Sequence, residues 1–481
     1  WTGSTWRHMP SVVLVAEDKI ESRLDYVPNT FMVVQTAPTV PEITMDLGTA
    51  GTLPTGATVT AEAKAGLMLR GDGGLERVAP ENAGKTIPVL RNWDGQVVRT
   101  DLINNLLVDP GLQDNQINAI DQLVVEKGYP GVVIDYRGVD AVPTARADFA
   151  RFIGQLAERL HANNRTLSVR VEMPQQISAE EWNTLGYDWR ALGQAVDKLI
   201  IPAPVDPRAY AAGAEMEQLL AFATSEVDRA KVEVELTGQS VERSGPYLLL
   251  KGYQEALTPL IAQVSAEAVD GQIQLSLSNP KLAGAVQWDD ALGMYVYTYT
   301  DDQGQQRTVF VENAASLGRK LEMLRKYNVT KANLLMPANG DIDPGVPEVL
   351  KQFQLNQPTA LEPQLEQLAV AYTLFGADGA KLDQQVRPLQ ASDITMAVPA
   401  AGTDKLTVEA QIVRGNGTAV TTAQSTVIAL AGAPAASAKS ADGSVAAEAA
   451  PASDVTLTTA EIVNVREGPG TNYPVITQME V

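Results

Sequence analysis

The sequence predicts an α/β protein: a (β/α)8 TIM barrel with an inserted α+β subdomain, followed by a small all-β sandwich. Three observations lead there. Across residues 11–355 short apolar runs alternate with amphipathic helical stretches, the pattern of repeated βα units around a parallel sheet. Eight such runs can be counted, the number that closes a barrel. Beyond them, strand-like runs are separated by GADG, GTD and GNG, turn segments at the spacing of a small β-sandwich. A chain of 481 residues has room for a large barrel and small modules together.

The eight runs, in order, are SVVLV from Ser11, TFMVV from Thr30, TIPVL from Thr86, GVVID from Gly131, LSVRV from Leu167, KLIIP from Lys198, VEVEL from Val232 and NLLMP from Asn333. The clearest helix spans Thr144 to Asn163, where Phe149, Phe152, Ile153, Leu156 and Leu160 recur on one face. Two stretches break the alternation and read as insertions, at about 45–84 and 240–313. The second contains the hairpin-like MYVYTYTDDQGQQRTVFV. The barrel is thus expected over 8–357 and an immunoglobulin-like sandwich over 364–432. Residues 433–454, almost wholly Ala, Ser, Pro, Gly and charge, are expected to be a flexible linker.

Composition removes several function classes. Lys and Arg number 37 against 58 Asp and Glu, a net charge of −21, whose field repels phosphate backbones and makes nucleic acid an unsuitable partner. With no Cys and two His, thiolate chemistry is excluded, and histidine triads or metal sites have almost nothing to draw on. No metal and no cofactor is implied. The longest uncharged stretch, Gly415 to Ala438, is too rich in Thr, Ser, Gln and Gly for a membrane span.

Active sites of such barrels lie at the carboxyl ends of the strands. The fourth run, KGYPGVVIDYRGVD, is followed by the helix DFARFIGQLAERLHANN and the strand LSVRVEMP. This segment resembles the family 18 glycoside hydrolases, chitinase-like barrels that include bacterial cell-wall glycosidases and whose fourth strand reads D-G-x-D-x-D-x-E. DWRALGQAVDKLIIPAPVD and KVEVELTG are similar to the family's sixth- and seventh-strand regions. The segment from Trp288 to Val329 resembles its inserted subdomain and returning helix.

The resemblance implies a glycosidase fold whose acid has been lost. In the family a glutamic acid ending the fourth strand protonates the glycosidic oxygen, and the substrate's own acetamido group acts as nucleophile, helped by an aspartate two residues earlier. Here the aspartate is Asp135, but the glutamate position holds Arg137, whose guanidinium cannot deliver a proton near neutrality. The two earlier carboxylate positions fall on Pro130 and Val133. The family's sixth-strand Tyr and Asp are matched by Pro204 and Val205, and its eighth-strand Trp falls near Met336.

Alternate strand residues share a face, which places Asp135 with Arg137, Arg170 with Glu172, and Glu233 with Glu235 on the inner side of the barrel. Carboxylates so close must be paired, so a buried salt-bridge network is expected. Three roles stay open: mutual satisfaction in a blocked barrel, a pocket where Arg137 or Arg170 grips a carboxylate of a cell-wall sugar or peptide, and hydrolysis by a relocated acid, Glu172 or Glu235. Trp93, just past the third run, is either a sugar-stacking platform or a structural aromatic.

The last residues carry a second resemblance. TLTTAEIVNVREGPGTNYPVITQMEV is similar to the opening of a bacterial SH3-like domain, through Asn464, Val465, Arg466, Gly468, Pro469, Gly470, Tyr473 and Pro474. Residues 455–481 are too few for a whole module, which implies that the chain ends inside one. Together the resemblances imply a protein of the bacterial cell surface or exterior, without catalysis, that binds glycan or peptidoglycan or serves the envelope as a structural component. The alternatives are an active glycosidase on N-acetylglucosamine polymers and a self-assembling subunit of a surface layer or appendage.

Overall fold

In the computed structural model the described residues run from Trp6 to Ala429 with short gaps, and beyond them comprise Ile462–Arg466 and Val475–Glu480. Eight parallel strands close on one another in chain order: β1 Glu42–Asp46, β2 Ala61–Leu69, β3 Thr86–Arg91, β4 Gly131–Asp135, β5 Thr166–Arg170, β6 Lys198–Pro202, β7 Val232–Thr237 and β8 Lys331–Leu335. β8 pairs with β1 through Lys331 to Glu42 and Leu335 to Asp46, and β1 pairs with β2, so the barrel has no open seam.

Six of the eight expected strands are staves; the first two are not. The run at Ser11 contributes Val12–Leu14 to a two-stranded hairpin with Lys19–Glu21, outside the barrel. Phe31, Met32, Val33 and Val34 form no strand and are exposed. The whole of β2 and the end of the true β1 lie in the stretch expected to be an insertion. Their inward residues are Thr44, Asp46, Ala63 and Ala65, polar or small, so no long apolar run announces them.

Helices cover the outside of the barrel. The predicted 144–163 helix is Pro143–Ala162, with Phe149, Phe152, Ile153, Leu156 and Leu160 buried against the sheet. Pro143 sits in its first turn, where a missing N–H costs nothing. Helix Pro110–Lys127 begins on the Asp109 carboxylate, which accepts from the Gly111 and Leu112 amides, and ends at the left-handed Gly128. Between β7 and β8 the chain makes a five-stranded antiparallel sheet, including the expected hairpin as Met294–Thr300 with Gln306–Val311.

After the barrel, Lys381–Pro388, Leu368–Phe375, Lys405–Arg414 and Gln424–Ala429 form a four-stranded antiparallel sheet in that spatial order. A fifth strand, Ile394–Pro399, pairs instead with Gln272–Ser278 of the β7–β8 insertion. The two segments also share one apolar core. Tyr253, Leu257, Tyr295, Tyr297 and Val311 of the insertion pack with Val370, Tyr372, Leu406, Val408 and Ile412. Ile462–Arg466 and Val475–Glu480 are an antiparallel pair; the expected linker 433–454, and Gly468, Pro469, Gly470, Tyr473 and Pro474, lie outside the described residues.

Candidate functional site

The inside of the barrel is built in layers. Its middle is apolar, with Ala63, Ala65, Val89, Val133 and Ile200 in one cluster. On the amino-terminal side of that cluster Lys198 lies 2.9 Å from Glu42 and 3.5 Å from Glu233, and Lys331 also bonds Glu42. On the carboxyl-terminal side, three guanidiniums meet three carboxylates.

Arg170 is the hub of that upper layer. Its side chain is 3% exposed, and it reaches from β5 across the barrel to Asp46 on β1. Its Nη1 donates to Asp135 at 3.2 Å, and its Nη2 lies 2.7 Å from Glu235. Arg91, at the end of β3, donates through Nε to the same Asp135 oxygen at 3.2 Å and approaches Asp46 at 4.0 Å. Arg137 donates through Nε to the other Asp135 oxygen at 3.1 Å. Both oxygens of Asp135 are thus engaged by guanidiniums.

The electrostatics follow from this packing. Burial alone would raise the Asp135 carboxyl, but Arg170, Arg137 and Arg91 outweigh it and hold it below the usual carboxylate range. For Glu235, burial wins over Arg170, and its carboxyl is held above that range. Burial by itself would also drive Arg170 toward its neutral form; Glu235, Asp46 and Asp135 reverse this.

Trp93 follows two residues after Arg91. The Arg137 guanidinium stands 3.6 Å from its ring centroid and the Arg91 guanidinium 4.6 Å. Arg137 thus occupies ring surface that a stacked sugar would use. The Arg137 backbone is fixed by the fully buried Asn92: its amide donates to Asn92 Oδ1 and its carbonyl accepts from Asn92 Nδ2, both at 2.8 Å.

The site residues expected from strand parity, with Trp93 beside them, divide into three groups. Asp135, Arg137, Arg170, Glu235 and Trp93 come together. Glu172 lies beside them with partners of its own, accepting on Oε2 from the Gly138 amide at 2.8 Å and the Tyr187 hydroxyl at 2.9 Å. Glu233 belongs to the lower layer with Lys198. Pro204 is buried and Val205 exposed just beyond β6, and Met336 is buried beyond β8, its amide bonded to the Asp46 carbonyl. Sequence reasoning missed Asp46 and Arg91. Extending the parity of TIPVL by one residue past Leu90 finds Arg91; Asp46 needed β1 to be recognised as a stave.

What fold and site define together is a closed (β/α)8 barrel with a charge-balanced network where such barrels hold their active sites. No family model matches the chain. Over 236 residues it is 25% identical to a Bacillus subtilis (strain 168) protein named as a sporulation-specific glycosylase, YdhD, covering 48% of this chain and 52% of that one. Over 262 residues it is 20% identical to the cortical fragment-lytic enzyme of the same organism, covering 52% and 57%. The chain therefore spans about half the length of these curated relatives. Among solved structures, it resembles a chitinase from Chromobacterium violaceum ATCC 12472, with TM-score 0.50, 20% identity, and 66% of this chain and 99% of that one covered. It also resembles the Bacillus cereus spore cortex-lytic enzyme SleL, with TM-score 0.51, 18% identity, and 69% and 78% covered. These likenesses establish the barrel fold.

Proposed function

We propose that the chain is a non-catalytic barrel of the family 18 glycoside hydrolase type that binds cell-wall glycan at the bacterial surface. The observation that carries this is Arg137. It stands where the resemblance puts the general acid, and it holds Asp135, the remaining member of the motif, in an ion pair. A carboxylate with both oxygens on guanidiniums is a poor partner for a reacting acetamido group, and a guanidinium supplies no proton. The glycan reading is supported by relatives whose names describe a glycosylase and a cortical fragment-lytic enzyme. Among the described residues no helix is long and apolar enough to cross a membrane.

The test uses the purified chain with insoluble peptidoglycan and with chitin. Co-sedimentation without release of reducing ends is the expected result. Sustained release would overturn the non-catalytic reading, and absence from both pellets would overturn the glycan reading. One observation favours a second reading: Glu235, at the carboxyl end of β7, keeps its proton above the usual carboxylate range as a general acid must. Hydrolysis that disappears in Glu235→Gln would select that reading.

A further inference from the structure

Resting on the glycan-binding reading, we propose that Arg137 is a preorganised fork for a carboxylate carried by the bound wall material, either on a sugar ring or on its peptide. Arg137 is held from three sides. Asn92 fixes its backbone, Asp135 takes its Nε, and Trp93 supports its guanidinium face. Among the described residues nothing accepts a hydrogen bond from its Nη1 or Nη2. Its side chain is 34% exposed, against 3% for Arg170 and 15% for Arg91. The two terminal amines therefore form a fixed, accessible edge. Two parallel N–H donors on a planar group match the two oxygens of a carboxylate, and little side-chain freedom remains to be lost on binding.

The charge balance supports the assignment. Arg91 and Arg170 each contact both Asp46 and Asp135, so these two guanidiniums already offset those two carboxylates. Arg137 contacts Asp135 alone, which leaves it the guanidinium of the three with the fewest carboxylate partners. Glu172 is the neighbouring carboxylate that could compete for the fork, but its Oε2 is tied to the Gly138 amide and the Tyr187 hydroxyl. A chain of net charge −21 gives no general attraction to anions, so recognition of one must come from a local group such as this.

Calorimetric titration of the full chain with N-acetylmuramic acid, N-acetylglucosamine and L-alanyl-D-glutamic acid tests the proposal. The first and last carry carboxylates on a sugar and on a peptide; the second is the neutral sugar. Expected is binding of at least one carboxylate probe about tenfold or more tighter than N-acetylglucosamine, with the tighter probe identifying the source. Arg137→Lys, which keeps the charge and loses the fork, should forfeit most of that preference while melting as the wild type does. Arg137→Gln is the second variant should the lysine disturb the fold. Equal binding of the three probes, or an Arg137→Lys preference equal to the wild type's, overturns the fork. If no probe shows the preference while insoluble wall still sediments, the fork fails and the glycan reading stands; if sedimentation fails too, both fall.

Discussion

Arg170 reaches three carboxylates drawn from β1, β4 and β7, and this reach makes it the residue whose loss the barrel would tolerate least. Replacing a whole buried ion network by apolar groups can be neutral, whereas removing one partner leaves the others uncompensated. Arg170→Met should therefore cost about 3–5 kcal/mol in denaturant unfolding. A loss below about 1 kcal/mol would show that Arg91 and Arg137 suffice for the three acids. The acids also oppose one another in pH. The Asp135 pKa in the fold lies below 3.8, so its stabilising contribution is present above that ordinary value and is lost as pH falls through the lowered one. The Glu235 pKa lies above 4.5, so its contribution is full below 4.5 and is withdrawn as pH rises through the raised value. Melting temperatures at pH 4.5 and pH 7 check this: Glu235→Gln should gain on the wild type as pH rises across that interval, and a constant difference would refute the assigned direction.

At the level of elements, the turn after β4 sets where the Arg137 fork points. Gly138 has φ +69°, and a Cβ there would stand 2.5 Å from Thr100 Cγ2 and 3.2 Å from Val98 Cγ1. Val98 in turn bridges to Trp93, so the glycine lets the β4 turn press against the loop that carries the indole. The Gly138 amide is also the donor that anchors Glu172. Gly138→Ala combines left-handed strain with this clash, and it is expected to lower stability by about 1–3 kcal/mol. It should also loosen the Arg137–Trp93 stack, read as a shift in Trp fluorescence relative to wild type. An unchanged melting curve and spectrum would mean that the turn relaxes freely.

Across the whole molecule, the sheet after the barrel is continuous with the β7–β8 insertion. Strand Ile394–Pro399 pairs with Gln272–Ser278, the two segments share an apolar core, and Arg414 forms an ion pair with Asp343 in the loop after β8. Burial shared in this way couples the unfolding of its contributors. Residues 240–313 and 368–429 should therefore lose amide-exchange protection together on heating, in one cooperative step. Loss of protection in 368–429 well before the insertion would contradict the shared core. Leu406→Ala, a truncation at a fully buried position of that core, should weaken both segments by about 2–5 kcal/mol.

The sequence by itself determined the barrel class, six of its staves and the meeting of Asp135, Arg137, Arg170 and Glu235, because those strands carry apolar runs and strand parity assigns their inward residues. The helix at Pro143–Ala162 was legible for a similar reason, its apolar period being strong enough to fix its inner face. Only the tertiary structure decided the rest. β1 and β2 were hidden because barrel closure buries Thr44, Asp46, Ala63 and Ala65, while the more apolar Phe31–Val34 stays outside. Glu233 obeys the parity rule yet falls in another layer, since parity selects a face of a strand and not a height along the barrel axis. The partner of Arg170 on β1 and the indole beneath Arg137 are likewise set by which strand ends converge when the barrel closes, a long-range geometry that no local spacing encodes.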